Sequence, residues 1–226
     1  MRLIFIRHGQ TPSNVRGLLD TRVPGPGLTS LGLEQASALP KALANEQISA
    51  IYVSTMVRTH LTAAFLAASL ELEPIERSGV REITSGDLEM RSDAGSVETY
   101  MGTVFSWTRG HLEARIPGGE SGTEFLERFD AVIAEIVAAG HSTVVVLSHG
   151  AAIRAWTAMR GVNLPPDFIA EHPLHNTGIV IVEGRPDGEW VVESFMGSAV
   201  GGDRVDSSAA GPTGEGLARI SGRSED

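Results

Sequence analysis

Residues 3–9 read Leu-Ile-Phe-Ile-Arg-His-Gly, and residues 144–150 read Val-Val-Val-Leu-Ser-His-Gly. Each stretch is a short apolar run, typical of a strand buried on both faces, that ends at a histidine followed by glycine. Strand patterns followed by helix patterns recur along the chain between and after these two stretches. This order predicts an α/β fold, a three-layer α/β/α sandwich whose central sheet is mostly parallel.

Other elements can be placed from their local patterns. Residues 51–53 form a second apolar strand, and the Ala- and Leu-rich segment 57–70 has strong helical propensity. Residues 121–124 read Ser-Gly-Thr-Glu, a capping box that opens a helix. Apolar runs at 179–182 and 190–195 predict two closing strands joined in a hairpin through a turn-rich linker that includes Pro186 and Asp187.

The two histidines are the candidates for chemistry. Ligands of parallel sheets bind beyond the carboxyl ends of the strands, so His8 and His149 are expected to meet in one crevice. Gly150 allows close approach of the backbone to a ligand, and the amides of residues 150 and 151 open a helix whose N-terminus favours an anion. A lone histidine at a strand end is more often structural than catalytic, so His149 by itself would indicate no function.

Several ordered motifs make the first 196 residues resemble the histidine phosphatase superfamily, also called the phosphoglycerate mutase-like family. They are Arg7-His8-Gly9-Gln10-Thr11-Pro12-Ser13-Asn14, Leu28-Thr29-Ser30-Leu31-Gly32-Leu33-Glu34-Gln35-Ala36, a Ser-x-x-x-Arg-Thr element at 54–59, a Glu-x-x-x-Gly element at 82–86, Pro117-Gly118-Gly119-Glu120-Ser121 and Ser148-His149-Gly150. The chain departs from the common pattern at Glu89-Met90 and at Thr55. A phosphoglycerate mutase-like domain over 1–196 is therefore expected.

The resemblance implies a catalytic role for three residues. His8 would attack phosphorus and form a phosphohistidine, while His149 would lie beside the phosphoryl group and help to hold it. Glu82 matches the proton donor, although Asp87 and Glu89 are neighbouring acids that could be confused with it. A carboxylate next to a phosphate dianion is well placed to supply a proton to the leaving oxygen.

The resemblance also implies a set of phosphate-binding residues. Arg7 and Arg58 would clamp the phosphoryl oxygens, because guanidinium groups stay charged and offer paired donors. Asn14 would add a neutral donor, and the backbone at Gly150 would complete the pocket. Arginines on helices more often form exposed ion pairs, and only the motif favours a site role for Arg58.

Two segments carry looser expectations. Residues 87–116 are expected to form a lid that recognises the rest of the substrate. This segment includes Tyr100, Phe105, Trp107, Arg109, His111 and Arg115. Its aromatic residues suit a packing role equally well, which is the role expected for Phe105. Residues 197–226 are rich in Gly, Ser and Ala with almost no apolar periodicity, a composition typical of a flexible C-terminal tail.

Composition narrows the function classes. The chain has 226 residues, no cysteine and a formal net charge of −10, which excludes thiol chemistry and disfavours nucleic acid as a partner. No apolar run is long enough to span a membrane, and no secretory signal is recognisable, so a cytoplasmic protein without a membrane partner is expected. A homodimer remains an option.

The leading hypothesis is hydrolysis of a small phosphorylated metabolite, with no metal and no cofactor. A cofactor-dependent phosphoglycerate mutase is the alternative, disfavoured because the stretch between Glu82 and His149 is shorter than in the glycolytic mutases. A non-catalytic phosphoester-binding or regulatory module is a third hypothesis. Metal-dependent hydrolysis is the weakest, since His172 and His175 with Glu171 form the one local cluster of possible ligands.

Overall fold

A computed structural model describes residues 1–165, 167–185, 188–202, 205–206 and 211–215. The strands in this part of the chain are β1 (Arg2–Arg7), β2 (Ala50–Val53), β3 (Ile75–Glu76), β4 (Thr143–Ser148), β5 (Ile179–Gly184) and β6 (Trp190–Met196). They form one sheet in the order β3-β2-β4-β1-β5-β6. The first four are parallel to one another, whereas β5 and β6 are antiparallel to their neighbours. The predicted, mostly parallel sheet is confirmed.

Helices cover both faces of this sheet. They are α1 (Pro12–Val15), α2 (Ser30–Ser37), α3 (Leu39–Ala42), α4 (Val57–Leu70), α5 (Ala94–Thr108), α6 (Gly122–Ala138), α7 (Gly150–Arg160) and α8 (Phe168–Glu171). Alternate strand residues point to opposite sides: Phe5 and Val146 pack with α5, α6 and α7, while Ile6 and Leu147 pack with α3 and α4. The predicted three-layer sandwich is confirmed, with a hydrophobic core on each face.

Local patterns placed several boundaries correctly. Helix α4 spans the predicted residues 57–70, and α6 begins at the predicted capping box, in which Ser121 and Glu124 exchange side-chain to backbone hydrogen bonds. Strands β5 and β6 pair as the predicted hairpin. Pro186 and Asp187 of its linker lie outside the described residues.

The predicted lid over residues 87–116 is largely a core helix. Helix α5 packs against α7, and Tyr100, Phe105 and Trp107 are buried in the larger core. The Tyr100 hydroxyl donates to the carbonyl of Ile83 at 2.8 Å, and Trp107 Nε1 donates to a backbone carbonyl at 2.8 Å. Of the two roles that the sequence left open for Tyr100 and Trp107, substrate recognition and packing, the structure shows packing. The packing role expected for Phe105 is confirmed.

Parts of the segment after residue 196 fold back onto the domain. Ala199 and Val205 are buried, and the Gln35 side chain donates to the carbonyl of Val205 at 2.8 Å. Residues 211–215 are also buried, with a short 3₁₀ turn at Pro212–Gly214. For these residues the expected flexible tail does not hold, and a domain boundary at 196 stays a prediction. None of the helices described is both long and apolar enough to cross a membrane.

Candidate active site

The register of two parallel strands brings the two histidines together. Arg7 is paired with Ser148 at the carboxyl ends of β1 and β4, so the next residues, His8 and His149, leave the sheet side by side. The His8 amide donates to the Ser148 carbonyl at 3.1 Å. Their ring centroids lie 5.2 Å apart, with an angle of 57° between the ring planes. The predicted convergence of the two side chains is present.

His8 is held in one neutral tautomer. Its Nδ1 lies 2.8 Å from the carbonyl oxygen of Gly9. A carbonyl can only accept, so Nδ1 carries the proton and Nε2 keeps its lone pair. Burial, together with the charges of Arg58 and Arg7, lowers the pKa of His8 well below its ordinary value. The ring is therefore neutral at pH 7 and nucleophilic at Nε2.

His149 is engaged at both ring nitrogens. Arg58 Nε donates to its Nδ1 at 3.3 Å, so the remaining proton lies on Nε2, which donates to Ser54 Oγ at 2.7 Å. Burial, then the charges of Arg58, His8 and Arg7, lowers the pKa of His149 well below its ordinary value. Ser54 and Arg58 thus fix the orientation of this ring.

Two guanidinium groups flank the rings. Arg7 is fully buried and donates from Nη1 to the carbonyl of Leu174 at 2.6 Å. Burial lowers the pKa of Arg7 to about 10, so the group stays charged at neutral pH. Arg58 donates from Nη2 to the carbonyl of Asp20 at 3.0 Å, while its buried Nη1 has no hydrogen-bond partner among the described residues. That nitrogen is a donor available to an anion.

Glu82 reaches the same edge of the sheet from a loop. Its carboxylate accepts hydrogen bonds from the amides of Ile83 at 3.0 Å, Ala151 at 3.3 Å and Ala152 at 2.9 Å. The last two amides belong to the first turn of α7, so the helix N-terminus does face an anion, but that anion is the Glu82 side chain. Any movement of Glu82 would expose these donors.

The Glu82 loop is held by a partly buried ion pair. Arg128 binds Glu120 at 2.7 Å and 2.8 Å through two nitrogens. The same guanidinium donates to the carbonyls of Gly79 at 2.6 Å and Glu82 at 3.2 Å. Arg128 therefore ties helix α6 to the backbone that carries the Glu82 carboxylate.

The predicted donor Asn14 is placed by helix α1. Its Oδ1 accepts from the Thr11 amide at 3.0 Å, in a capping box, and from Asn176 Nδ2 at 3.2 Å. Asn176 also donates to the carbonyl of His8 at 3.0 Å. Sequence reasoning missed Asn176, which lies far along the chain in the turn before β5 and carries no recognisable motif.

These side chains surround one small hollow of about 10 Å³. Its lining residues are His8, Thr11, Ser13, Asn14, Leu18, Asp20, Arg58, Glu82 and Thr213. Thr213 was not expected from the sequence, because it lies in the segment that was predicted to be a flexible tail. Four of the seven predicted site residues, His8, Asn14, Arg58 and Glu82, line the hollow. The other three lie next to lining residues: the His149 ring is beside the His8 ring and the Arg58 side chain, and Gly150 is beside Arg7 and Thr213.

Within the described part of the chain, no group of three or more His, Cys, Asp or Glu side chains is arranged to hold a metal ion. In the cluster of Glu171, His172 and His175 noted in the sequence, the two histidines contact different partners. His172 stacks on Phe168 with ring centroids 3.9 Å apart, and His175 pairs with Asp206 at 2.8 Å. The hypothesis of metal-dependent hydrolysis loses its candidate ligands.

Comparison with known proteins decides the family. The profile of the histidine phosphatase superfamily (branch 1) matches residues 3–196. The chain belongs to the histidine phosphatase superfamily. It is 39% identical over 215 residues to the PE-PGRS family protein PE_PGRS11 of Mycobacterium tuberculosis, covering 87% of this chain but 36% of that protein. The family predicted from the motifs is thus confirmed.

Named phosphatases of the superfamily are also similar to this chain. Phosphoserine phosphatase 1 of Hydrogenobacter thermophilus is 31% identical over 170 residues, which are 73% of this chain and 78% of that protein. A solved structure of a mycobacterial glucosyl-3-phosphoglycerate phosphatase, complexed with VO3, superposes with a TM-score of 0.73 at 25% identity over 87% of this chain and 99% of the other. Further relatives carry the name "Probable phosphoglycerate mutase GpmB". The predicted enzyme class, a histidine phosphatase, is supported by these names.

Proposed function

We propose that the chain hydrolyses the phosphate monoester of a small metabolite through a phosphohistidine on His8. The observation that carries this proposal is the arrangement of His8, Arg58 and Glu82 around one hollow, with the His149 ring beside that of His8 and with Arg7 buried nearby. The tautomer of His8 supports its role as nucleophile, since the Nδ1 hydrogen bond to Gly9 leaves the Nε2 lone pair available.

In the first step, Nε2 of His8 attacks phosphorus, and the bond from phosphorus to the ester oxygen breaks as the nitrogen–phosphorus bond forms. Glu82, which takes up a proton when the phosphate dianion binds beside it, delivers that proton to the departing oxygen. In the second step, a water molecule attacks the phosphohistidine and gives its proton to the Glu82 carboxylate, while the nitrogen–phosphorus bond breaks. Inorganic phosphate leaves, and His8 returns to its starting state.

The charged groups stabilise the phosphoryl group during both steps. Arg58 Nη1, which is unpaired and buried, would donate to a phosphoryl oxygen, and the Arg7 guanidinium would add a second positive charge. Asn14 and the backbone at Gly150 would complete the donors. His149 would help to hold the phosphoryl group indirectly, because by accepting from Arg58 it keeps that guanidinium in place.

Trapping of the intermediate tests this mechanism. Wild type, His8→Ala and the control His111→Ala are incubated with a radiolabelled phosphate ester and quenched in base. His111 is an exposed histidine at the surface, so its variant should carry acid-labile label like wild type. Label should vanish in His8→Ala. Equal labelling of His8→Ala would reject His8 as the acceptor.

A phosphoglycerate mutase is the second candidate, favoured by the relatives that carry that name. The two activities share the phosphohistidine and differ in whether water or a substrate hydroxyl receives the phosphoryl group. Release of inorganic phosphate from a panel of esters is expected. Interconversion of phosphoglycerates with a bisphosphorylated primer, without phosphate release from any ester, would replace the phosphatase proposal by the mutase.

The proposal places this activity in the cytoplasm, and its support there is the sequence, in which no secretory signal is recognisable. The net charge of −10 supports the absence of a nucleic-acid partner. The expected absence of a membrane partner and the possible homodimer stay sequence predictions. Cell fractionation, and size-exclusion chromatography with light scattering, would test the location and the oligomeric state.

A further inference from the structure

Residues Gly211–Glu215, here named the strap, cover the hollow at the candidate active site. All five residues of the strap are buried. Thr213 lines the hollow together with His8, Arg58 and Glu82. The strap lies well beyond the end of β6 at Met196. Its position over the ends of β1 and β4 is therefore set by tertiary contacts.

The strap packs directly on the groups proposed to bind phosphate. A Cβ on Gly214 would overlap Nη1 of Arg7, and a Cβ on Gly211 would lie 2.8 Å from Nδ2 of Asn14. Gly211 also has φ +76°, a conformation that favours glycine. The two glycines therefore let the strap backbone approach the anion-binding side chains more closely than any other residue would.

A buried arginine that the proposed mechanism does not use anchors the strap. Arg154 on α7 is fully buried and donates from Nη1 to the carbonyls of Thr213 at 3.2 Å and Glu215 at 2.9 Å. Its Nη2 donates to the carbonyl of Ile169. The Leu174 amide, in turn, donates to the carbonyl of Gly214 at 2.9 Å. Backbone carbonyls on both sides of the strap turn are thus fixed to the domain.

The hollow beneath the strap is too small for a phosphoryl group. About 10 Å³ is roughly the space that one water molecule needs, and a phosphoryl group with several oxygens is larger. The other walls of the hollow come from the end of β1, from helices α1 and α4, and from the loops that carry Leu18, Asp20 and Glu82. The strap is a short turn that Arg154 and Leu174 fix by its carbonyls and that packs on α5 and α7, but none of its residues belongs to either core cluster, so it is the wall that can leave without removing a core side chain.

We propose that the strap occupies the phosphate site in the resting enzyme and must lift before an ester can bind, with Arg154 as its anchor. The inference rests on the proposed function, since it concerns regulation of the same site. The strap then acts as an internal competitor of the substrate. If it is closed in about 90% of the molecules, the apparent affinity for phosphate is weakened about tenfold.

The absence of cysteine from the chain allows a direct test of strap opening. Thr213→Cys places one thiol in the strap, and Thr157→Cys places a matched thiol at a fully buried threonine of α7. Reaction with a thiol reagent under native conditions is expected to be at least tenfold faster for Thr213→Cys, because Thr157→Cys reacts only when the domain unfolds. Equal rates for the two variants would overturn the proposal.

Binding of inorganic phosphate tests the anchor. Arg154→Met removes the donors to the strap, whereas the control Arg160→Met alters an exposed arginine of the same helix that pairs with Asp130. Calorimetry is expected to show a Kd for phosphate that is at least threefold lower in Arg154→Met and unchanged in Arg160→Met. A folded Arg154→Met variant with unchanged or weaker binding would overturn the proposal.

A third measurement decides the matter if Arg154→Met does not fold. Saturating phosphate should accelerate thiol labelling of Thr213→Cys at least twofold, because phosphate in the hollow holds the strap open, and slower labelling would mean that phosphate binds beneath a closed strap. None of these readouts requires turnover. If the strap opens but no phosphohistidine forms on His8, the proposed mechanism is rejected and the strap proposal stands. If phosphohistidine forms but the two thiols react at equal rates, the strap proposal is rejected and the mechanism stands.

Discussion

Acidification should destabilise the folded chain through its two buried active-site histidines. Burial and the neighbouring arginines lower the pKa of His8 and of His149 well below 6.5 in the folded state, whereas both rings titrate near 6.5 when the chain is unfolded. As the pH falls below about 6.5, the unfolded chain takes up two protons that the folded chain does not. The stability that depends on the two neutral histidines is therefore fully present above about pH 6.5, and it is lost as the pH falls from there towards their pKa values in the folded state.

The magnitude follows from the number of protons. One histidine that stays neutral in the folded state, and titrates at about 6.5 in the unfolded state, costs up to about 1–2 kcal/mol of unfolding free energy between pH 8.0 and pH 5.5. For His8 and His149 together the expected loss is up to about 3 kcal/mol. This is a large part of the roughly 5–15 kcal/mol that stabilises an ordinary domain.

Urea unfolding at a series of pH values measures this loss. His8→Asn and His149→Gln are combined, and the pH dependence of the free energy of unfolding is compared with wild type, so that a pH-independent change in stability cancels. The difference should grow by up to about 3 kcal/mol from pH 8.0 to pH 5.5. His111→Asn, at an exposed site, should follow wild type. Parallel curves for wild type and the double variant would refute neutral, buried histidines at this site.

Three further changes test the surroundings of the site. Glu82→Gln should lower kcat for alkyl phosphates by roughly 10²–10⁴ and affect p-nitrophenyl phosphate much less, since that leaving group needs no proton; equal losses would exclude a general acid. Arg128→Met should lower kcat by roughly tenfold to 10² with little change in KM, because the Glu82 backbone loses its support; steady-state kinetics that show a change in KM alone would contradict this. Gly86→Ala should destabilise the fold by about 1–3 kcal/mol, because φ is +57° and a Cβ would overlap the carbonyl of Pro117, whereas Gly102→Ala, with open space in α5, should be neutral or stabilising in thermal unfolding.

Local features of the molecule could be predicted from the sequence because they depend on neighbouring residues. The strand in residues 3–6 and the helix at 57–70 are set by apolar runs and helix propensity, and the capping box at Ser121 and Glu124 marks where α6 begins. The two histidines follow strands that had to be parallel neighbours in this fold class. Their convergence could therefore be predicted before any distance was known.

Segment 87–116 shows where local patterns mislead. Its aromatic residues suit a substrate-binding lid as well as they suit a core helix, and composition cannot distinguish the two. Tyr100 became a core residue because α5 packs on α7, and its hydroxyl bonds to the backbone next to Glu82. Only the packing partner decides between recognition and burial.

The family, the order of the elements and the side chains available for phosphoryl transfer could all be predicted from the sequence, because each depends on short contiguous motifs. The tertiary structure alone decided which partners those side chains have: Glu82 on the first amides of α7, Asn176 beside Asn14, and the strap on Arg7. Each of these contacts joins segments far apart in the chain. Such contacts depend on how complete layers pack, and no local pattern of residues encodes them.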